Sequence, residues 1–258
     1  MRVRDQLGRE LEFDQVPARI VSLVPSQTEL LVDLGLEEQL VGITKFCVHP
    51  EHLSRSKTVV GGTKQVHSNR IAQLQPDIII ANKEENTEEL VRELSAICPV
   101  WVSDIATLDQ ALEMIRSLGE LFACTDQASS LILEIEEGFK GLEEKMLDRE
   151  KLKAIYLIWN KPWMAAGKGT FIDHLLQRCG FENLITEFRY PEVTNAEMEQ
   201  ADIVLLSSEP FPFNPKHVAE LEQSGLKNVV LTDGEMWSWY GSRLVKAVKY
   251  LEQFRLGL

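Results

Sequence analysis

One order of elements is written twice into this chain, and a long helical stretch without a turn signal separates the two copies. The apolar run 19–24 ends at Pro25, and Ser26 and Glu29 have the spacing of a capping box at a helix start. Leu30, Leu31 and Leu34 carry that helix, and Gly35 ends it. Residues 40–43 read as a second strand, 71–74 as a helical face, Pro76 and Asp77 as a turn and 78–81 as a buried parallel strand. The charged run 83–89 reads as the opening of another helix, and 99–103 as a further strand. From residue 107 to about 146 the pattern is helical with a break near 124–126, where Thr125 or Asp126 can cap a second piece of roughly 20 residues.

The pattern then restarts with a strand at 154–159, a helix at 171–179 capped by Thr170, Gly180, and the apolar stretch 181–185. Gly35 and Gly180 close matching helices 145 residues apart, and Asp77 and Asp202 precede matching apolar strands 125 residues apart. Strands alternating with helices predict an α/β fold with helices on both faces of parallel sheets. The recurrence predicts two similar lobes, residues 1–124 and 151–258, joined by a rigid bridging helix at 125–150.

Composition limits what such a chain can meet. With 27 basic and 40 acidic residues among 258, the formal charge is −13, which repels phosphate backbones and excludes nucleic acid as an expected partner. No stretch approaches the roughly 18–20 apolar residues of a membrane span, and residues 1–19 are polar, without the apolar core of a signal peptide. The four cysteines, Cys47, Cys98, Cys124 and Cys179, include no C-x-x-C pair and read as mostly free thiols, leaving the compartment open.

In open parallel sheets, ligands bind outside the carboxyl ends of the strands, so the loops there are the candidate site. The first copy offers Ser26 and Gln27, the stretch 45–50 with Phe46, Cys47 and His49, the stretch 61–64 with Gly61, Gly62, Thr63 and Lys64, and the stretch 82–86 with Lys83. The second offers 159–163 with Trp159, Asn160 and Trp163, then Tyr190, then 207–213 with Glu209, Phe211 and Phe213, and 233–240 with Asp233, Trp237, Trp239 and Tyr240. Of the 19 Trp, Tyr and Phe residues, 14 follow residue 150, many of them in these loops, which suits a flat apolar ligand with polar edges. Trp159, Phe211 and Phe213 can equally seal a core.

Other motifs point away from catalysis. Cys47, His49 and His52 form a C-x-H-x-x-H pattern, so Cys47 and His49 are the candidate metal ligands, with pocket lining the alternative role for His49. Glu84, Glu85, Glu88 and Glu89 suit a solvated first helical turn. The stretch 167–170 lacks the upstream glycine of a phosphate loop, and no G-x-S-x-G, H-E-x-x-H or triad spacing is present.

At these residues the chain resembles the solute-binding proteins of ABC importers for cobalamin, iron-siderophores and haem, and within them the cobalamin-binding branch. The resemblance runs in order through 19–30, 41–42, 71–81, 166–170, 180–184 and 190–194, nearly the whole chain. It implies a class III periplasmic binding fold, chelatase-like, without enzymatic activity or an intrinsic cofactor. The implied ligand is a small metal chelate held between the lobes of a monomer, a corrinoid first, else haem or a ferric siderophore. It implies a partner in the permease subunit and a periplasmic or lipid-anchored location. The family's stacking aromatics fall on Phe46 and Tyr190, with Trp163 near a third and 233–240 as the last cleft loop; its first-lobe tryptophan aligns with Thr63, where Gly61 and Gly62 allow close backbone approach instead. The family's two docking glutamates align with Asn69 and Ala196; Glu197 adjoins the second, and nothing replaces the first. A cytoplasmic enzyme or chaperone handling a corrinoid or haem through Cys47 and His49 is the alternative expectation, one that gains if the native gene has no signal sequence.

Overall fold

Strands buried on both faces need helices above and below them, and every residue of the runs 20–22 and 78–82 is buried. The computed structural model describes residues 1–258 and divides into two units. The first comprises Met1–Asp104, Asp109–Leu133 and Tyr240–Arg243. The second comprises Ile105–Leu108, Glu134–Trp239 and Leu244–Leu258. Neither is contiguous, and Tyr240–Arg243, inside the stretch 151–258, group with the first.

The first unit opens with an antiparallel pair, β1 (Arg2–Arg4) and β2 (Glu10–Glu12), in the polar segment that carries no strand signal. Its main sheet is five-stranded and wholly parallel, built from β3 (Ile20–Ser22), β4 (Leu40–Ile43), β5 (Thr58–Val59), β6 (Ile78–Asn82) and β7 (Val100–Ser103) in the order β5-β4-β3-β6-β7. Between the strands run α1 (Pro25–Asp33), α2 (Leu53–Ser56), α3 (Ser68–Gln73) and α4 (Glu88–Leu94). Val21, Leu23, Ile79 and Ala81 pack with Leu90, Val91 and Leu94 of α4 in one core cluster.

Two expected boundaries move. Helix α1 begins at Pro25, not at a Ser26 cap; proline needs no N–H at the first helical position, where that donor has no partner. Helix α4 begins at Glu88 behind its cap Thr87, because Asn82 and Asn86 hold 82–86 in a turn: Asn82 Oδ1 accepts from Glu84 N (2.8 Å) and Glu85 N (3.2 Å), and Asn86 Oδ1 accepts from Asn82 N (2.9 Å).

Helix α5 (Leu108–Leu121) and helix α6 (Thr125–Met146) are separated by a turn in which Ala123 is left-handed, φ 55°. The second unit then builds β8 (Leu152–Trp159), β9 (Met164–Ala165), α7 (Phe171–Arg178), β10 (Phe181–Asn183), α8 (Asn195–Met198), β11 (Ile203–Ser207), α9 (Pro215–Gln223), β12 (Val229–Thr232), α10 (Gly234–Ser238) and α11 (Leu244–Leu256). Its parallel strands run β10-β8-β11-β12, with β9 antiparallel against β8. Ile155, Leu157, Val204 and Leu206 form its centre with Ile185, Met198 and Phe213.

Candidate functional site

In the first sheet the chain moves outward from β3 to β4 and β5, then crosses back to β6 and β7, so the loops leaving β3 and β6 part at the carboxyl edge. Such a switch point is where open α/β sheets admit ligands. Here it is lined by neutral polar groups: Gln27 Nε2 donates to Ser103 Oγ, and Asn82 Nδ2 donates to the same hydroxyl at 3.0 Å. Asn86 Nδ2 reaches Thr63 O at 2.6 Å, tying the glycine loop to the turn that carries Lys83, Glu84 and Glu85. A Cβ on Gly61, at φ 129°, would lie 2.6 Å from Gln65 O, so only glycine fits there.

Two lysines at this edge have partners. Lys83 pairs with Asp104 at 2.6 Å, and Lys45 lies 5.0 Å from the Phe46 ring centroid, leaving Phe46 half exposed. Burial holds the Glu85 carboxyl above its ordinary range; the charge of Glu84 adds to this, while Lys64 and the Thr63 hydroxyl oppose it. His49 is half-buried on the loop after Phe46.

The structure corrects two first-unit expectations. Cys47 is 1 % exposed, its Sγ held by the hydroxyls of Thr28 (3.1 Å) and Thr44 (3.2 Å), and burial pushes the thiol up. No group of three or more His, Cys, Asp or Glu is placed to hold a metal. Tyr240 belongs to the first unit rather than to a loop of the second lobe: it is buried and bonds to Ser26 in the first turn of α1 and to Ser103 at the end of β7. Three residues on, Arg243 donates to both oxygens of Glu29 (2.7 and 2.9 Å), with both side chains almost wholly buried.

At the carboxyl edge of the second sheet the aromatics form a row. Trp159 is 42 % exposed and meets Phe211 edge-on at 5.7 Å; Phe211 contacts Phe213 at 4.7 Å; Phe213 stacks on Trp163 at 6.1 Å and 15°. His217 packs edge-on against both phenylalanines, its Nδ1 accepting from Asn214 N. Phe213 and Trp163 reach the core cluster, so the row begins as packing and ends as surface. Tyr190 is half-buried under the Arg189 guanidinium, 5.6 Å away. Phe188 is 76 % exposed, and sequence reasoning passed it over because it lies in no strand-end motif.

Polar groups of the second edge are held by their neighbours. Glu209 Oε1 accepts from Ser238 Oγ (2.8 Å) and Trp239 Nε1 (2.7 Å), which spends the buried Trp239 on positioning a carboxylate. Asp233 caps α10 through Glu235 N (3.1 Å) and, with Ser208, Glu209, Phe213 and Glu235, lines a cavity of about 600 Å³. Asn160 is nine-tenths buried, and its Oδ1 has no hydrogen-bond partner. Trp237 requires a correction: it is fully buried, donates to Thr232 Oγ1 (2.7 Å) and packs between Tyr156, Phe181 and Phe254, so it is core and presents no stacking surface.

Of the two docking positions, Asn69 is exposed on α3 beside a pocket it shares with Ser68, Arg70 and Glu93. Glu197 is exposed on α8, but its Oε2 closes a capping box with Thr194 N and Oγ1, both at 2.7 Å, which holds its carboxyl below the ordinary range. No helix is long and apolar enough to cross a membrane.

Comparison with known proteins places this geometry. Residues 20–228 match the family described as periplasmic binding protein. A Bacillus subtilis protein described as an uncharacterized ABC transporter substrate-binding lipoprotein is 24 % identical over 92 % of this chain and 73 % of its own length. A vitamin B12-binding protein of Yersinia pestis is 24 % identical over 69 % of this chain and 63 % of its own length. Among solved structures, a periplasmic haem-binding protein from Pseudomonas aeruginosa superposes with a TM-score of 0.81 at 21 % identity, covering 92 % of each chain. A periplasmic vitamin B12-binding protein of Vibrio cholerae gives 0.79 at 19 %, covering 93 % of this chain and 97 % of its own. The fold is therefore shared with binders of both kinds, and the chain belongs to the periplasmic binding protein family, whose members capture solutes and are not enzymes.

Proposed function

We propose that this protein is the substrate-binding component of an ABC importer and captures a corrinoid at the carboxyl edges of its parallel sheets, on the outer side of the cytoplasmic membrane. The observation that carries the reading is the aromatic row from Trp163 to Trp159 in the second unit, open at its Trp159 end. An exposed aromatic edge suits a flat, largely apolar macrocycle. Haem would in addition bring two carboxylates. In the first unit Lys83 is already paired with Asp104, Lys45 lies over Phe46 and Lys64 faces Glu85. The vitamin B12-binding relative supports the corrinoid choice. A handling enzyme that uses Cys47 would need an open thiol, and this one is enclosed. The importer's membrane subunit would meet the faces carrying Asn69 and Glu197.

The test is absorbance and calorimetric titration with cobalamin, cobinamide, haem and a ferric siderophore. Tight one-to-one binding of a corrinoid, with haem weak or absent, is the expected result. Binding of haem alone would replace the corrinoid reading, and silence with all four would sink it.

A further inference from the structure

Phe46 follows β4 at the carboxyl edge of the first sheet and is 48 % exposed, yet two contacts define the place of its ring. Lys45 Nζ lies over the ring, 5.0 Å from its centroid, and the ring edge at Cε2 lies against Gly62. A Cβ on Gly62 would stand 3.3 Å from that carbon, inside ordinary van der Waals contact, whereas the next nearest atoms, Gln65 O and Lys45 Cε, would both be 3.7 Å away. The crowding at position 62 therefore comes from the Phe46 ring alone. The backbone under the ring is fixed. Gly61 and Val66 pair as an antiparallel bridge and Gly62 N donates to Gln65 O (2.8 Å), which makes 61–66 a short hairpin. Lys45 N donates to Gly61 O (2.8 Å), joining the segment that carries Phe46 to this hairpin. The buried Asn86 donates from Nδ2 to Thr63 O (2.6 Å) and so ties the hairpin to the turn after β6.

An aromatic ring stacks on a flat partner only within a narrow range of offsets, so a contact that sets the ring's place also sets how well it stacks. We propose that Gly62 is a positioning residue, whose missing side chain lets the Phe46 ring lie where it stacks on the bound macrocycle. The inference rests on the corrinoid reading above and adds to it the residue that aims its first-unit aromatic. Position 62 lies outside the left-handed region, so its backbone accepts alanine. A half-exposed ring can yield to the added methyl by moving toward solvent, so Gly62→Ala should displace the ring without unfolding anything.

The experiment is a double-mutant cycle of wild type, Gly62→Ala, Phe46→Ala and the double variant, each titrated with cobinamide and unfolded in urea. Phe46→Ala should weaken binding about tenfold and Gly62→Ala about fourfold, with the urea midpoint of Gly62→Ala unchanged. The loss caused by Gly62→Ala should vanish once Phe46 is absent. In the unliganded protein, the fluorine-NMR signal of para-fluorophenylalanine placed at position 46 should shift when Gly62 becomes alanine. An equal loss in both backgrounds would mean that the methyl acts without the ring, and no loss in the wild-type background would mean that the ring's place is immaterial. Either result overturns the inference and leaves the corrinoid reading intact. An unmoved fluorine signal overturns the inference whatever binds, and a protein that binds no corrin overturns both readings.

Discussion

Trp159 keeps two-fifths of its surface open at the end of the aromatic row, whereas Trp237 keeps none. Trp159→Ala should therefore weaken ligand binding by about 1–2 kcal/mol with little change in stability, measured by titration and urea unfolding. Trp237→Ala should show the converse, losing about 3–5 kcal/mol of stability while the folded fraction binds normally. Glu85 gives a pH signature. Its carboxyl is raised, chiefly by burial, so the folded state binds the proton more tightly than the unfolded chain and stability falls as pH rises from the ordinary carboxylate value to the raised one. Glu85→Gln should accordingly be more stable than wild type at neutral pH, and urea curves should converge below the ordinary carboxylate range, where Glu85 is protonated in both states.

Among the elements, α6 carries two glycines with different surroundings. A Cβ on Gly141 meets nothing within 4 Å, whereas one on Gly138 would stand 3.2 Å from Val248. Gly141→Ala should stabilise the protein by about 0.5–1 kcal/mol through helix propensity alone, a gain that thermal unfolding reads directly. The long helix, the buried strands and the alternation of both were legible in the sequence because each writes a strong period or a continuous apolar run. The antiparallel β1 and β2 were not, since three polar-flanked residues apiece carry no period. The loops were located correctly as strand ends, but which aromatic faces inward was not readable: Trp237 and Trp239 sit two residues apart, and α10 with its hydrogen bonds to Thr232 and Glu209 decides the matter. Cys47 was misread for the same reason, because nothing in its spacing announces that Thr28 and Thr44 close over it.

For the whole molecule, the division into units ignores sequence order. The first unit is completed by Tyr240–Arg243, whose Arg243 neutralises the buried Glu29. Removing one partner of such a pair leaves an uncompensated buried charge, so Glu29→Gln should cost about 3–5 kcal/mol in urea unfolding. A fragment ending before residue 240 should be destabilised at least as much.

Glu29 and Arg243 are 214 positions apart, and this separation sets a schedule for biosynthesis. At roughly 5–20 residues per second, the ribosome delivers Arg243 some 10–40 s after Glu29, and throughout that interval the nascent first unit carries a carboxylate whose counter-charge has not been made. Its final closure thus waits until Arg243 has been made.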